Sequence, residues 1–363
     1  MFEIVFLTFI SFYFFITVYL LNGIKKSFPQ ISDSELPALT VIVAARNEEK
    51  NIPECLNSLN RLNYPPGKLE IILVDDFSTD NTGKIIDAFI SGKTIFKKIF
   101  PDETLKIPIG KTRAVASAVK AAGGEIILLT DADCSVPADW ARSIAGYYLK
   151  DIGMVNGFTT QAADNLFQGM QAVDLVYLIS AAAGMANNNN SVSCIGNNMS
   201  FRKSAYYEAG GYENIQFSVT EDFILLKSIS RLKKYKIIFP LNPASLVITK
   251  PCRSIKELFR QKKRWAVGGM NINLNGFLIM FTAAAVNISV LLTPLFFSAV
   301  SLYLAVFKLA IDFFLLMLVH QSLGIKKNLK YFFFFEIYYI IYTIILPISV
   351  AISRKVIWKG RSY

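Results

Sequence analysis

Histidine is all but missing from this 363-residue sequence. The one example is His320, and the four cysteines, Cys55, Cys134, Cys194 and Cys252, stand far apart with no Cys-x-x-Cys pair. That excludes a zinc site and a disulfide framework, and it fits a body kept in a reducing, cytosol-facing compartment. His320 ends an apolar run, where it reads as an interfacial residue rather than a catalytic one. Acidic residues are also in short supply, 27 against 38 Lys and Arg, for a net charge of +11. An excess of this sign points to nucleic acid, anionic lipid or a phosphorylated substrate. No nucleic-acid motif accompanies it. The pairs Lys25-Lys26, Lys326-Lys327 and Arg354-Lys355 instead flank apolar runs, where positive residues hold helices at an anionic membrane face.

What is abundant is apolar: 53% of residues are hydrophobic, 29 are Phe, and the mean hydropathy is +0.40. This is too apolar for an ordinary soluble enzyme. The excess sits at the two ends, while the middle, from about Leu36 to Met270, has the mixed composition of a domain that buries its own core. Residues 1–23 read as a transmembrane anchor. The basic pair follows the apolar run, the reverse of a cleaved signal peptide. Toward the other end, 274–353 holds about three spanning helices, two within Leu274 to Val319 with a turn near Pro294 to Ser301, and one over Tyr331 to Ser353. A basic tail, 354–363, follows. Lys308 and Asp312, four apart on one helical face, are placed to neutralise each other. Lys25-Lys26 puts the body in the cytosol, whereas three later spans would put the basic tail outside, so the charge rule alone conflicts with itself over the tail.

Between the anchors, 36–250 alternates strands with helices. Strands are expected at Leu39 to Ala45, Leu69 to Val74 and Glu125 to Thr130, with helices at Glu48 to Leu59, Thr82 to Phe89 and Lys111 to Ala122. That is an α/β pattern with a parallel sheet. Acidic or polar clusters follow each strand: Arg46-Asn47-Glu48, Asp75-Asp76, and Asp131-Ala132-Asp133. The carboxyl ends of parallel strands form the ligand crevice in open α/β sheets, so the three clusters are expected to converge on one site. A stretch from Phe167 to Ala186 reads either as an interface helix presenting a lipid or as a plain core helix, and Asn187 to Asn190 as a solvated turn.

The segments VIVAARNEEKNI, EIILVDDFSTDNT, GKTRAVASAVKAAGGEIILLTDADCSVPADW, GNNMSFRK, GGY, VTEDFILL and QKKRW stand in the order and spacing of the family 2 glycosyltransferases. The resemblance covers roughly Leu39 to Met270. Asp-x-Asp, Thr-Glu-Asp and Gln-x-x-Arg-Trp together are far more specific than any one motif. The resemblance implies a GT-A nucleotide-diphospho-sugar transferase domain, Rossmann-like with a mostly parallel sheet, an inverting mechanism, and α-helical transmembrane segments beside it.

Carried over by position, the resemblance implies that Glu48, Asp75 and Asp76 contact the nucleoside and that Lys111 lies near the diphosphate. Asp131 and Asp133 would hold ribose, phosphate and a divalent cation, Mg²⁺ or Mn²⁺. A leaving diphosphate gains negative charge as its bond breaks, so a cation there favours the transition state over the ground state. Asp222, after Thr220 and Glu221, would take the acceptor's proton; the same residues also suit the start of a helix from Asp222 to Ile229. Gln261, Arg264 and Trp265 lie on an amphipathic, basic interface segment, 251–273. There the resemblance puts Arg264 near the diphosphate with the catalytic residues Asp222 and Glu221, and Gln261 and Trp265 beside the acceptor. The first motif departs from the family in having Arg46 where Tyr is common, and the Lys111 motif has Ala116 where Asn is frequent.

The expected protein is thus an enzyme moving a sugar from a nucleotide-diphospho-sugar, UDP-linked by preference, to a lipid or lipid-linked acceptor at the cytosolic face of a bacterial inner membrane. A catalytically inactive sugar-nucleotide-binding subunit of an envelope assembly complex and a nucleotidyltransferase are the alternatives. Intact Asp131, Asp133, Asp222 and Arg264 weigh against the first, and the Gln-x-x-Arg-Trp stretch against the second. Three C-terminal spans look too few for a polymer path through the membrane.

Overall fold

A computed structural model of the chain describes residues 1–358 and 361–362; of the expected basic tail, residues 359, 360 and 363 lie outside the described residues. The chain divides into two compact units. An α/β unit comprises Lys26–Thr160 and Ser193–Lys250, and a helical unit comprises Met1–Lys25, Gln161–Val192 and the chain from Pro251 onward.

Ten strands concern the α/β unit: β1 Leu39–Ala45, β2 Leu69–Asp75, β3 Phe96–Ile99, β4 Ile126–Asp131, β5 Cys134–Ser135, β6 Ile152–Asn156, β7 Thr159–Gln161, β8 Met199–Arg202, β9 Lys236–Ile238 and β10 Val247–Thr249. The main sheet has the order β3-β2-β1-β4-β8-β6-β9, and a small one the order β5-β10-β7. β1, β2, β3 and β4 are parallel, and β8 runs antiparallel to both β4 and β6. The central strand β1 is a β-branched, almost wholly buried run with period-two facing. Val41, Val43 and Ala45 join Ile52, Leu56 and Trp140 on one face, and Ile42 joins Ala114, Val115, Ala118 and Val119 of the helix Lys111–Ala121 on the other. Helices therefore cover both faces, as a parallel sheet requires.

One helix begins later than the sequence reading expected. Glu48 to Asn51 form a turn rather than a first helical turn, because Asn47 is left-handed (φ 53°), and the helix itself is Ile52–Leu59. The antiparallel strand β8 was also not anticipated.

In the helical unit, five helices among the described residues are long and apolar enough to cross a membrane: Phe2–Ile24, Leu166–Asn187, Leu274–Leu292, Ala299–Ser322 and Lys326–Ile352. Four of these helices lie in the stretches 1–23 and 274–353 or extend just beyond them. The fifth corrects the expected boundary of the α/β body, since 161–192 belongs with the helices rather than with 36–250. Its sequence explains this: Leu166–Asn187 is apolar around most of its circumference, and such a helix is covered on all sides.

Its C-terminal half crosses the N-terminal helix backbone to backbone. A Cβ on Gly184 would stand 2.6 Å from the Leu20 carbonyl oxygen, closer than any real contact, so only glycine fits. Asn187 Nδ2 then donates to Gly23 O at 3.0 Å and Asn188 Nδ2 to Tyr19 O at 2.8 Å. These carbonyls lie in the last two turns of the N-terminal helix, so Asn187 and Asn188 hold that helix end, while residues 188 and 189 form the turn expected, with Asn189 exposed.

Two buried ionic clusters join the remaining helices. Lys308 pairs with Asp312 at 2.9 Å, as the sequence spacing anticipated, and also with Glu336; Tyr13 donates to Asp312 Oδ1 at 2.5 Å. His320, expected at an interface, is fully buried with Nδ1 2.8 Å from Leu316 O. The second cluster fixes the amphipathic helix Ile255–Gly268: Lys262 pairs with Asp174, whose other oxygen accepts from Tyr342 Oη at 3.0 Å. Lys262 Nζ also lies 4.8 Å from the Trp265 ring centroid. Removing one member of such a pair strands a buried charge, whereas removing both need not. Lys262→Met is therefore expected to cost about 3–5 kcal/mol, and Lys262→Met/Asp174→Leu to regain most of it, read as melting temperatures of the detergent-solubilised protein.

Candidate active site

Strand register brings the acidic clusters together. Ala45 pairs with Asp75 across β1 and β2, and Ala44 with Asp131 across β1 and β4, so three strand ends meet at one edge. The convergence expected from sequence is present in the α/β unit.

The first two clusters are laced to each other. Asn47 N–H donates to Ser78 Oγ at 3.1 Å, Thr79 N–H to Asn47 Oδ1 at 2.8 Å, and Glu48 N–H to Thr82 Oγ1 at 2.8 Å. Glu48 is buried and accepts from Asn51 Nδ2 at 2.6 Å. Asp75 and Asp76 are both buried; Asp75 Oδ1 accepts from the Ser78 N–H at 2.9 Å. Arg46, for which the family resemblance offered no role, donates from Nη1 to Asp76 O at 3.0 Å and bridges the two loops.

Lys111 starts the helix that follows Gly110, and its Nζ lies 2.6 Å from Asp131 Oδ1 and 3.1 Å from Glu221 Oε1. Burial by itself would lower the lysine's pKa, but the two carboxylates outweigh it and raise it, so the ammonium stays charged throughout the neutral range. One cation thus joins the end of β4 to the first residue of the helix Glu221–Arg231. The acids sit in that helix's first turn, where its dipole favours them. The helix begins one residue earlier than the expected Asp222 and reaches Arg231 rather than Ile229.

Asp222 faces Gly196. A Cβ on Gly196 would stand 3.2 Å from Asp222 Oδ2 and 3.3 Å from its Cβ, so hydrogen at this position lets the carboxylate lie against the chain. The segment carrying Gly196 is pinned by Asn198, a fully buried amide. Its Oδ1 accepts from Trp140 Nε1 at 2.9 Å, and its Nδ2 donates to Phe158 O at 2.7 Å and Ser245 O at 2.9 Å. Asn197 Oδ1 accepts from Thr159 Oγ1 at 2.9 Å. None of these supports was singled out from sequence, although Trp140 and the Gly-Asn-Asn run lie inside the quoted motifs.

Asp133 has Thr249 Oγ1 and Cys134 Sγ each 3.5 Å from Oδ1. Burial, and then the nearby Asp133 and Asp131 carboxylates, push the Cys55 and Cys134 thiols up, so both remain protonated and offer no soft ligand or nucleophile. Among the described residues no group of three or more His, Cys, Asp or Glu side chains is gathered for a metal. Asp131 and Asp133 at the end of β4 offer two carboxylates, hard oxygen groups of the kind that could hold Mg²⁺ or Mn²⁺. Gln261, Arg264 and Trp265 belong to the helical unit, on Ile255–Gly268.

The model of Glycosyl transferase family 2 matches residues 40–210, and that of Glycosyl transferase family group 2 matches residues 126–352. The chain belongs to glycosyltransferase family 2. Among curated relatives of this family-2 chain is the probable glycosyltransferase YdaM of Bacillus subtilis (strain 168), 28% identical over 258 residues, covering 68% of this chain and 58% of the relative. The poly-beta-1,6-N-acetyl-D-glucosamine synthase of Staphylococcus aureus (strain COL) is 27% identical over 282 residues, 74% of this chain and 63% of the relative. The chain therefore spans about three fifths of the length of these relatives. The fold is shared with the mannosyltransferase PcManGT from Pyrobaculum calidifontis, solved in complex with GDP-Man and Mn²⁺: TM-score 0.60, 18% identity, covering 93% of this chain and 99% of that one.

Gly196→Ala is expected to move the Asp222 carboxylate by a few tenths of an ångström while leaving the fold intact. A site whose chemistry depends on the position of Asp222 is expected to lose turnover roughly ten-fold or more on such a displacement, with an unchanged melting temperature; initial rates and a thermal melt check both.

Proposed function

We propose that this family-2 glycosyltransferase moves a sugar from a nucleotide-diphospho-sugar, UDP-linked by preference, to a lipid or lipid-linked acceptor at the cytosolic face of a bacterial inner membrane. The observation that carries the reading is the bridge from Asp131 through Lys111 to Glu221, with Asp222 next in the chain against Gly196. It supports the reading by bringing the Lys111 ammonium and the Asp131 and Glu221 carboxylates together, with Asp222 beside them in the chain.

In this reading Glu48, Asp75 and Asp76 bind the nucleoside, their buried carboxylates accepting its N–H and O–H groups. Lys111 binds the diphosphate, whose negative charge competes with Asp131 and Glu221 for the ammonium. Asp131 and Asp133 would hold a divalent cation, which when bound would supply positive charge for the departing diphosphate. Asp222 takes the proton of the acceptor hydroxyl as it attacks the anomeric carbon opposite the leaving group, giving inversion. Glu221 fixes where Lys111 stands. Arg264 adds positive charge for the diphosphate, and Gln261 and Trp265 hold the acceptor, the indole offering an apolar face to a sugar ring. The five long apolar helices and the basic amphipathic helix support a membrane-bound acceptor.

Synthesis of a polymer is the second reading, supported by the likeness to a poly-beta-1,6-N-acetyl-D-glucosamine synthase across 74% of this chain. Both readings are tested by divalent-metal-dependent release of UDP from a panel of UDP-sugars, with native lipid extract, by wild-type, Asp222→Asn and Asp131→Ala protein. Lipid-stimulated release is expected, lowered about 10²-fold or more by either substitution. A single added sugar on the lipid supports the first reading and a ladder of lengths the second. Nucleotide binding with no release from any UDP- or GDP-sugar would make the chain a non-catalytic subunit.

A further inference from the structure

Phe77 follows the Asp75-Asp76 pair with φ at 53°. Glycine enters this left-handed region freely and Asn or Asp sometimes; a bulky aromatic does so only when its surroundings enforce it. Here they do. Phe77 N–H donates to Asp75 O at 2.8 Å, and the Ser78 next to it is held by Asp75 Oδ1 on one side and the Asn47 N–H on the other. The enforced turn does not bury the ring, which stays 39% exposed. It stacks instead on Phe100, itself 56% exposed, with centroids 6.0 Å apart and planes at 22°. Phe100 directly follows β3, so the two rings stand at the ends of neighbouring parallel strands. Lys98 Nζ, 5.3 Å from the Phe100 centroid and 3.8 Å from Asp75 Oδ2, ties the ring pair to that carboxylate.

Burial would be the stable fate of two phenylalanines, and a relaxed backbone the stable state of this turn. Strain that keeps an aromatic face open beside paired carboxylates at a strand end suits a flat ligand with polar edges. We propose that Phe77 and Phe100 form an aromatic platform on which the nucleobase of the donor stacks, with Phe77 contributing to recognition of the base rather than of the sugar or phosphates. This rests on the nucleotide-sugar reading above. Stacking tolerates any base, because each has a π-face, and the larger purine covers more of the platform.

The test is calorimetric binding of UDP, GDP and inorganic pyrophosphate, with Mn²⁺ present, to the full chain in detergent, as wild type, Phe77→Gly, Phe77→Leu and Phe100→Leu. Thermal melts of each protein without ligand accompany it. Phe77→Gly is expected to melt higher than wild type, since glycine relieves the turn, yet to bind UDP and GDP about ten-fold or more weakly while holding pyrophosphate within two-fold. The two Leu variants keep apolar bulk without a π-face and should lose nucleotide affinity in the same direction. UDP binding by Phe77→Gly within two-fold of wild type, or an equal loss toward pyrophosphate, overturns the platform and leaves the donor reading standing. Wild-type protein that binds pyrophosphate but neither nucleotide overturns both.

Discussion

A single ammonium group carries much of the candidate site's order. Asp131 ends a parallel strand, whereas Glu221 opens a helix reached only after the chain has passed through the antiparallel strand β8. Nothing in the backbone hydrogen bonding of β4 obliges these two carboxylates to share a locus, and like charges left alone would part. Lys111 contacts both, from the first turn of a helix whose Ala114, Val115, Ala118 and Val119 are locked into the core. The lysine's position is therefore set by hydrophobic packing, and the acids take theirs from the lysine. Its side chain keeps about a third of its exposure, so the ammonium stays open to solvent.

The α/β half of the molecule was largely legible in the sequence, for a physical reason. Strands buried on both faces must be continuous apolar runs, and the first three written that way, Leu39 to Ala45, Leu69 to Val74 and Glu125 to Thr130, correspond to β1, β2 and β4 within a residue at each end. The acids stop those runs because charge is not tolerated in a covered sheet, so the same letters that end a strand also mark the crevice. Shorter elements carried less signal. β8, four residues long and interleaved with polar Ser200 and Arg202, announces neither its strand nor its reversed direction.

Long-range polar partners were the illegible part. Lys262 and Asp174 are 88 residues apart, and Tyr13 and Asp312 are 299 apart, so spacing on one helix could expose only the local Lys308–Asp312 pair. The Asn run after the central helix fell to the same difficulty: composition favours a solvated turn, whereas two of its amides meet carbonyls of a helix that begins at residue 2. Phe77 was quoted inside a motif without remark, since a letter code carries no φ.

The chain's path has a consequence for biosynthesis. Strand β8 pairs with both β4 and β6, yet it is made only after the apolar helix Leu166–Asn187 has been synthesised. The parallel strands β1 to β4 can assemble beforehand, but the sheet has an open edge at β4 until the chain beyond that helix supplies β8. Completion of the sheet is thereby made to wait on the synthesis of a long apolar segment that belongs to the other unit. A ribosome stalled between residues 187 and 199 would hold a half-sheet with its most aggregation-prone edge uncovered.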